Sequence, residues 1–266
     1  GIGTGAYILE NYEPGVKTVM KRNPNYWAVD EPVTRGFYNF DEIRVDYYRS
    51  STAQFEAFKK GLYDISPENS PSKWRTAYDF PAVERGDVTR EVFKTKTPSG
   101  MLGLVFNTRR TTFENLNVRR ALSLVFDFEW ANENLFFGAY ERTSSYWQNS
   151  VLSSFGIPAS QAERDLFGSD IDQIQPDVLD GTYVAPKADG SGRDRKVLRA
   201  ALTLLKKEGY TIKDRKMIGP GGSPLTFELL IAGASGISGQ DIERLALSYK
   251  STLSRLGIEI EVRTVD

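Results

Sequence analysis

Residues 107–147 read NTRRTTFENLNVRRALSLVFDFEWANENLFFGAYERTSSYW and hold the clearest helix pattern of the chain. The pattern predicts a strand ending in Asn107, a basic turn, and an amphipathic helix with Asn117 as its N-cap. Arg119 and Arg120 fall on the outer side of this helix. The residues predicted to face inward are Ala121, Leu122, Val125 and Phe126. The spacing therefore predicts a packing helix without a catalytic role.

The sequence before this helix predicts mostly strands. Two helices are predicted, at 54–61 and at 72–78, from apolar spacing and flanking turn residues. The predicted strands cover residues 7–10, 17–22, 43–48, 63–66, 88–94 and 101–107. Strand, helix and strand follow one another between 43 and 66, which predicts a crossover unit.

The sequence after the helix begins with a polar, irregular stretch at 148–192, with short helical pieces around Ala162 and Val178. Periodicity then returns. Helices are predicted at 195–208 and from a capping box of Ser238 and Asp241, and strands at 225–232 and 258–265. Helices alternating with strands predict an α/β fold.

Composition excludes several kinds of site. The 266 residues carry a net charge of −1 and contain neither cysteine nor histidine. Disulfides, thiolate ligands, imidazole ligands and catalytic triads with histidine are therefore excluded. The balanced charge gives no attraction to nucleic acid, and no apolar run approaches the roughly 18 residues of a membrane span. We expect no cofactor, no bound metal and no membrane insertion.

Two motifs of enzymes occur in incomplete form. Glycines open the chain, but a strand pattern follows them where a phosphate loop needs a helix. Ser70 and Lys73 match a Ser-x-x-Lys motif, but its companion motifs are missing, so Ser70 or Ser72 is interpreted as a helix cap. Pairs of carboxylates such as Asp64 and Glu68 are interpreted as surface residues. No catalytic residue is predicted.

Several strings in order resemble the extracellular solute-binding proteins of family 5, the oligopeptide and dipeptide receptors of ABC importers. The matching strings are GTGAY at 3–7, KRNPNYW at 21–27, FKKGLYDI at 58–65, FN at 106–107, F at 113, NVRRAL at 117–122 with Asp127, LLKKEGY at 204–210 and LGI at 256–258. Ala6 and Thr111–Thr112 replace prolines that the family favours. Residues 127–130 and 138–147 are most similar to the subgroup of microcin C and oligopeptide receptors.

The resemblance implies a periplasmic-binding-protein fold of type II, bilobal, with mixed β-sheets flanked by helices. Residues 1–100 would form part of the first lobe and residues 101–266 the first part of the second. The chain would then be a fragment of the whole receptor. The acidic residue that anchors a peptide's free amine would lie beyond Asp266.

The resemblance also implies a ligand held in a cleft that closes by hinge motion. The residues expected to line it are, on the hinge-side strand, Leu104, Phe106 and Asn107; in the later loop, Tyr146 and Trp147; and, in the first part, Tyr63, Asp64 and Ser66. Adjacent aromatic pairs fit this role because strand neighbours point to opposite sides.

The implied function is that of a periplasmic, monomeric receptor delivering oligopeptides or peptide-like solutes to a membrane-embedded ABC permease. Three alternatives stay open from the sequence. The same fold could bind a nickel chelate or an oligosaccharide, the protein could be an uncharacterised hydrolase, or the chain could be a ligand-sensing domain fused to a regulator.

Overall fold

The computed structural model describes residues 3–232 and 239–265. Its contacts divide the chain into two compact units, Gly1–Pro67 and Glu68–Asp266. Both combine helices with strands, so the predicted α/β class is confirmed. The lobe boundary expected between residues 100 and 101 stays a prediction.

The first unit is a three-stranded antiparallel sheet followed by a helix. Its elements are β1 (Tyr7–Glu13), β2 (Lys17–Arg22), β3 (Glu42–Asp46) and α1 (Ser51–Lys59). The central strand is β2, and a bulge between Leu9 and Asn11 interrupts its pairing with β1. The Ser50 side chain caps α1 by accepting a hydrogen bond from the Ala53 amide. Ala57 and Phe58, on the inner face of this helix, are buried.

The second unit begins with short helices and ends with longer elements. Its helices are α2 (Pro71–Thr76), α3 (Pro81–Glu84), α4 (Thr111–Glu114), α5 (Leu116–Leu124), α6 (Phe128–Leu135), α7 (Gln161–Phe167), α8 (Pro176–Leu179), α9 (Arg195–Lys207) and α10 (Gly239–Ser254). Its strands are β4 (Thr211–Lys213), β5 (Lys216–Ile218), β6 (Thr226–Ala232) and β7 (Glu259–Val265). β4 and β5 form an antiparallel hairpin. β6 and β7 pair in parallel and are joined through α10, as a crossover connection requires.

The main core of the second unit joins α5, α9, α10 and the β6–β7 pair. Of the residues predicted to face inward, Ala121, Leu122 and Val125 are at most 1% exposed, and Phe126 is half-buried against the same core. The predicted inward face is therefore confirmed. Tyr249 of α10 donates its hydroxyl to the Leu122 carbonyl oxygen at 2.9 Å, and burial raises the pKa of this phenol. A buried, satisfied hydroxyl of this kind fixes α10 against α5.

The N-cap of α5 differs from the prediction. Asn115, rather than Asn117, caps the helix: its Oδ1 accepts the amides of Asn117 at 2.8 Å and Val118 at 3.2 Å. Asn117 instead donates its side-chain amide to Glu208 Oε1 at 2.6 Å. The α4 turn ends at Glu114 and lets the next helix begin two residues earlier than its apolar spacing suggests.

Three predicted strands are wrong. Residues 63–66, 88–94 and 101–107 have no strand structure, and the crossover unit predicted between 43 and 66 is therefore wrong as well. The apolar patterns indicate extended backbone, but a strand also needs a hydrogen-bonded neighbour. No such neighbour occurs for these segments within residues 3–232 and 239–265.

The irregular region at 148–192 contains α7 and α8, as predicted around Ala162 and Val178, and a short 3₁₀ helix at Gly168–Gln173 that was not predicted. A capping box does occur here, formed by Ser160 and Glu163 at the start of α7. The capping box predicted at Ser238 and Asp241 lies outside the described residues because Ser238 is not among them.

Candidate functional site

Two adjacent rings project from the turn at 144–149. Tyr146 is 68% exposed and Trp147 is 57% exposed, and their ring centroids lie 6.0 Å apart. Trp147 has a φ of 52° and Asn149 a φ of 69°, in the left-handed region that residues other than glycine seldom occupy. Such a backbone persists only where its surroundings hold it, and it is frequent at ligand-binding turns.

Short polar contacts hold this turn. The Ser144 amide donates to Gln148 Oε1 at 2.7 Å, and Ser150 Oγ donates to the Trp147 carbonyl oxygen at 2.7 Å. The hydroxyls of Ser145 and Ser153 lie 2.7 Å apart and close the turn from the other side. The rings are therefore carried by a turn with a fixed backbone.

The same turn is tied to the segment that leads into residues 101–107. Asn149 Nδ2 donates to the carbonyl oxygens of Thr95 at 2.9 Å and Thr97 at 3.1 Å. The Ser99 amide donates to the Gln148 carbonyl oxygen at 2.7 Å. The structure thus joins the Tyr146–Trp147 turn to the chain just before the predicted hinge-side segment, a connection across about 50 residues.

A cavity of about 230 Å³ opens beside this turn. The residues that line it are Glu141, Ser144, Gln148, Asn149, Ser153 and Phe155. Hydroxyl and amide groups beside one carboxylate and one ring can bind a polar organic group, such as a piece of peptide backbone. A second cavity near Leu124 and Gly192 has about 10 Å³, room for no more than one water molecule.

The three predicted residues of the 101–107 segment have different surroundings. Leu104 is 38% exposed, whereas the Phe106 ring lies 5.3 Å from the Phe113 ring and packs against the main core. Asn107 Oδ1 accepts the Arg109 amide at 3.2 Å, and its carbonyl oxygen accepts the Arg110 amide at 3.0 Å. Leu104 is therefore exposed, Phe106 faces inward, and Asn107 organises the basic turn.

The other three predicted residues belong to the first unit and are described there. Tyr63 donates its hydroxyl to the Gln54 carbonyl oxygen at 3.0 Å, and its ring lies 5.4 Å from that of Phe58. These contacts attach the chain to α1 directly after the helix ends. Asp64 is exposed and Ser66 is half-buried. A ligand-binding role for these residues stays a prediction, as it does for those of the second unit.

The sequence reasoning missed the polar lining of the cavity. Gln148, Asn149 and Ser153 were assigned to an irregular excursion, although they stand directly beside the predicted ring pair. The concentration of small polar residues next to Trp147 was the signal that could have indicated them. Their convergence depends on the left-handed backbone of the turn, which the sequence does not indicate.

The partial Ser-x-x-Lys motif has a structural explanation. Ser70 caps α2, since its Oγ accepts the Lys73 amide at 3.3 Å, and it also donates to Asp241 Oδ2 at 3.2 Å. Its interpretation as a helix cap is thus confirmed. In the part of the chain that the structure describes, no three His, Cys, Asp or Glu side chains gather as metal ligands. No helix in that part is both long and apolar enough to cross a membrane.

Comparison with known proteins gives matches along the whole chain. The profile of the family described as bacterial extracellular solute-binding proteins, family 5 middle, matches residues 1–266. A Brucella suis relative is 48% identical over 265 residues. The peptidoglycan-binding protein YepA of Agrobacterium fabrum is 44% identical over 272 residues. The probable peptide-binding protein YejA of the same organism is 35% identical over 268 residues.

Each of these relatives is much longer than the chain. The alignments cover 100% of this chain but only 42% of the Brucella suis relative and of YejA, and 43% of YepA. Among solved structures, that of NikA from Brucella suis in complex with Fe(III)-EDTA has a TM-score of 0.63 at 19% identity. The alignment covers 99% of this chain and 43% of NikA. At this identity it shows a likeness of fold alone.

Proposed function

The chain belongs to the bacterial extracellular solute-binding proteins of family 5, and we propose that the whole protein is the periplasmic receptor of an ABC importer. In this role it captures peptide-like solutes and delivers them to a membrane-embedded permease. The observation that carries the proposal is the match of the family profile to residues 1–266. The family consists of binding proteins, so the alternative of a hydrolase finds no support there.

Peptide-like solutes are the ligand class that the relatives favour. YepA is named as peptidoglycan-binding and YejA as probably peptide-binding, and both align with the full length of this chain. The cavity beside the Tyr146–Trp147 turn suits the same class, because amide and hydroxyl groups pair with peptide groups and exposed rings cover side chains of varied shape.

The proposed contact residues are the polar lining of the cavity and, of the residues expected from the sequence, all except Phe106 and Asn107. In the second unit Tyr146 and Trp147 are the ring contacts and Leu104 an apolar contact. Phe106 and Asn107 support the segment that carries Leu104. Tyr63, Asp64 and Ser66 are the proposed contacts of the first unit.

The test uses the full-length protein. Native mass spectrometry of the purified protein looks for a co-purified peptide, and thermal shift with a library of di- to decapeptides measures binding. We expect at least one peptide to raise the melting temperature in a saturable way without being consumed. An empty protein with no shift across the peptide library contradicts the peptide assignment, and a shift with a nickel chelate or an oligosaccharide instead selects the alternative ligand class.

Side-chain variants locate the site. Tyr146→Ala should weaken peptide binding by about tenfold or more, since an exposed ring in contact with ligand contributes on the order of 1–2 kcal/mol. Leu166→Ala is the matched control, because Leu166 is 86% exposed in the same unit and lies outside the turn and the cavity. Equal peptide affinity of the two variants would show that Tyr146 does not contact the ligand.

A further inference from the structure

Arg142 lies near two aromatic rings and precedes the cavity-lining turn in sequence. Its guanidinium carbon lies 6.0 Å from the ring centroid of Phe126 and 5.9 Å from that of Phe128. Both distances lie at the outer limit of cation–π contacts, which position an arginine while leaving its N–H donors unused. The side chain is half-buried.

One donor of Arg142 is left without an acceptor. Nη1 is the one side-chain nitrogen or oxygen in the described part of the chain that is buried and has no hydrogen-bond partner. A buried, unsatisfied donor on a charged group destabilises a protein, because it has lost its hydrogen bonds to water without gaining new ones. Native structures seldom keep such a group without a role for it.

The nearby carboxylates do not neutralise Arg142. Asp127 accepts the Trp130 amide with one oxygen and the Gly192 amide with the other, each at 2.9 Å. Glu129 Oε2 accepts the Ala188 amide at 3.0 Å. Neither carboxylate forms an ion pair with Arg142 within the described residues. Burial lowers the pKa of Arg142, and the charges of Glu129 and Asp127 only partly oppose this effect. The guanidinium nevertheless stays charged at neutral pH.

Two sequence neighbours of Arg142 line the cavity. Glu141 and Ser144, on either side of it in sequence, both line the cavity of about 230 Å³. Gln148 and Asn149 add amide groups on the left-handed turn that carries the exposed rings. Arg142 is not itself a lining residue, so the link between its unpaired guanidinium and the polar cavity runs through its neighbours in the chain.

We propose that Arg142 binds a carboxylate of the captured solute while the adjoining cavity holds the neighbouring part of that solute. A guanidinium and a carboxylate match in geometry and charge, and the pair satisfies the donor that is otherwise unpartnered. Because Nη1 is out of contact with solvent, binding requires a rotation of the guanidinium or a small shift of the turn. The inference rests on the proposed receptor function and adds that the ligand is anionic at this point.

The first measurement concerns stability of the full-length protein after removal of co-purified ligand by unfolding and refolding. Arg142→Met keeps the aliphatic stem and removes the charge. We expect its melting temperature without added solute to equal or exceed that of the wild type, because an uncompensated buried charge is removed. A drop of several degrees would show that Arg142 is a structural residue and would overturn the proposal.

The second measurement is calorimetric binding with matched probes: trialanine, trialanine amide, Ala-Glu-Ala amide, glutarate and its dimethyl ester. Wild type should bind the carboxylate forms at least about tenfold more tightly than their neutral counterparts, and Arg142→Met should lose this difference. Arg142→Lys should recover part of it, and Arg199→Met, at an exposed position of α9, should behave as wild type.

The outcomes separate the two proposals. A response to trialanine but not to its amide identifies the free C-terminus as the carboxylate, and a response to Ala-Glu-Ala amide identifies an acidic side chain. Binding of glutarate alone, lost in Arg142→Met, supports the role of Arg142 and contradicts a peptide ligand. Equal binding of charged and neutral probes, no binding of any carboxylate, or full binding by Arg142→Met overturns the role of Arg142.

Discussion

At the scale of single residues, the contact between Glu208 and the start of α5 joins parts of the chain that are distant in sequence. Glu208 follows α9 and accepts the side-chain amides of Asn115 at 2.5 Å and Asn117 at 2.6 Å. Asn115 at the same time caps α5. One carboxylate therefore holds the cap in place and fixes the end of α9 beside it.

The cap is expected to contribute measurably to stability. Asn115→Ala should lower the free energy of unfolding by about 1–2 kcal/mol, since the amides of Asn117 and Val118 lose their acceptor. Urea denaturation followed by circular dichroism measures the change. Asn134→Ala is the control, because Asn134 is exposed in α6 and alanine suits a helix there. An equal loss of unfolding free energy in both variants would contradict the role of Asn115 as a stabilising cap.

The lowered pKa of Glu208 predicts that stability depends on pH. Hydrogen bonds from Asn117 and then Asn115 lower the pKa of Glu208 below its usual value of 4.5. A carboxyl with a lowered pKa in the folded state stabilises that state above its unfolded pKa and loses this effect as the pH falls through the folded pKa. Glu208→Gln should therefore melt at a lower temperature than wild type at pH 7, and the gap should narrow below about pH 4.5. A gap independent of pH between 7 and 3 would contradict this assignment.

At the scale of elements, Gly257 lets the β4–β5 hairpin approach the end of α10. Its φ is +74°, and a Cβ there would lie 2.7 Å from the Arg215 carbonyl oxygen and 2.8 Å from the Met217 amide nitrogen. The Met217 amide donates to the Gly257 carbonyl oxygen at 2.8 Å. Only glycine allows both the left-handed backbone and this close approach.

Gly257→Ala should therefore destabilise the second unit by about 2 kcal/mol or more, from backbone strain and steric overlap together. Gly222→Ala separates the two causes, because Gly222 has a φ of +78° with no atom within 4 Å of a Cβ there. Its effect should be limited to about 1 kcal/mol. Thermal melting of both variants gives the comparison, and equal effects would exclude a contribution from the close approach.

At the scale of the whole molecule, one carboxylate of α6 and that of its N-cap residue secure the end of the irregular region. Glu129 accepts the Ala188 amide and Asp127 accepts the Gly192 amide, across about 60 residues of chain. Glu129→Ala should release this segment and speed tryptic cleavage after Lys187 and Arg193 by several fold. Glu133→Ala, at an exposed position of the same helix, serves as control. Digestion followed by mass spectrometry gives the rates, and equal rates in both variants would contradict the role of Glu129.

Elements with their own periodicity were predictable. The helix 195–208 was expected one residue longer than the observed Arg195–Lys207, and the strand 17–22 agrees with β2. By contrast, residues 101–107 have a strand pattern and no strand partner, and Val105 is 93% exposed. The β4–β5 hairpin was missed because its strands are three residues long and close on Asp214 and Arg215 rather than on glycine.

The candidate site, too, could be predicted from the sequence only in part. The rings of Tyr146 and Trp147 were predictable as an adjacent pair, but the cavity beside them depends on the left-handed turn and on its bonds to residues 95–99. The importance of Arg142 was also hidden, because a missing hydrogen-bond partner is a property of the packed structure alone.

Periodicity and family motifs are local properties of the chain, so the family, the α/β class and the inward face of α5 could be predicted from sequence alone. Three features emerge only from tertiary packing: which extended segments become strands, which asparagine caps α5, and which polar side chains converge at the cavity. These features depend on partners from distant parts of the chain, and local sequence carries no record of such partners.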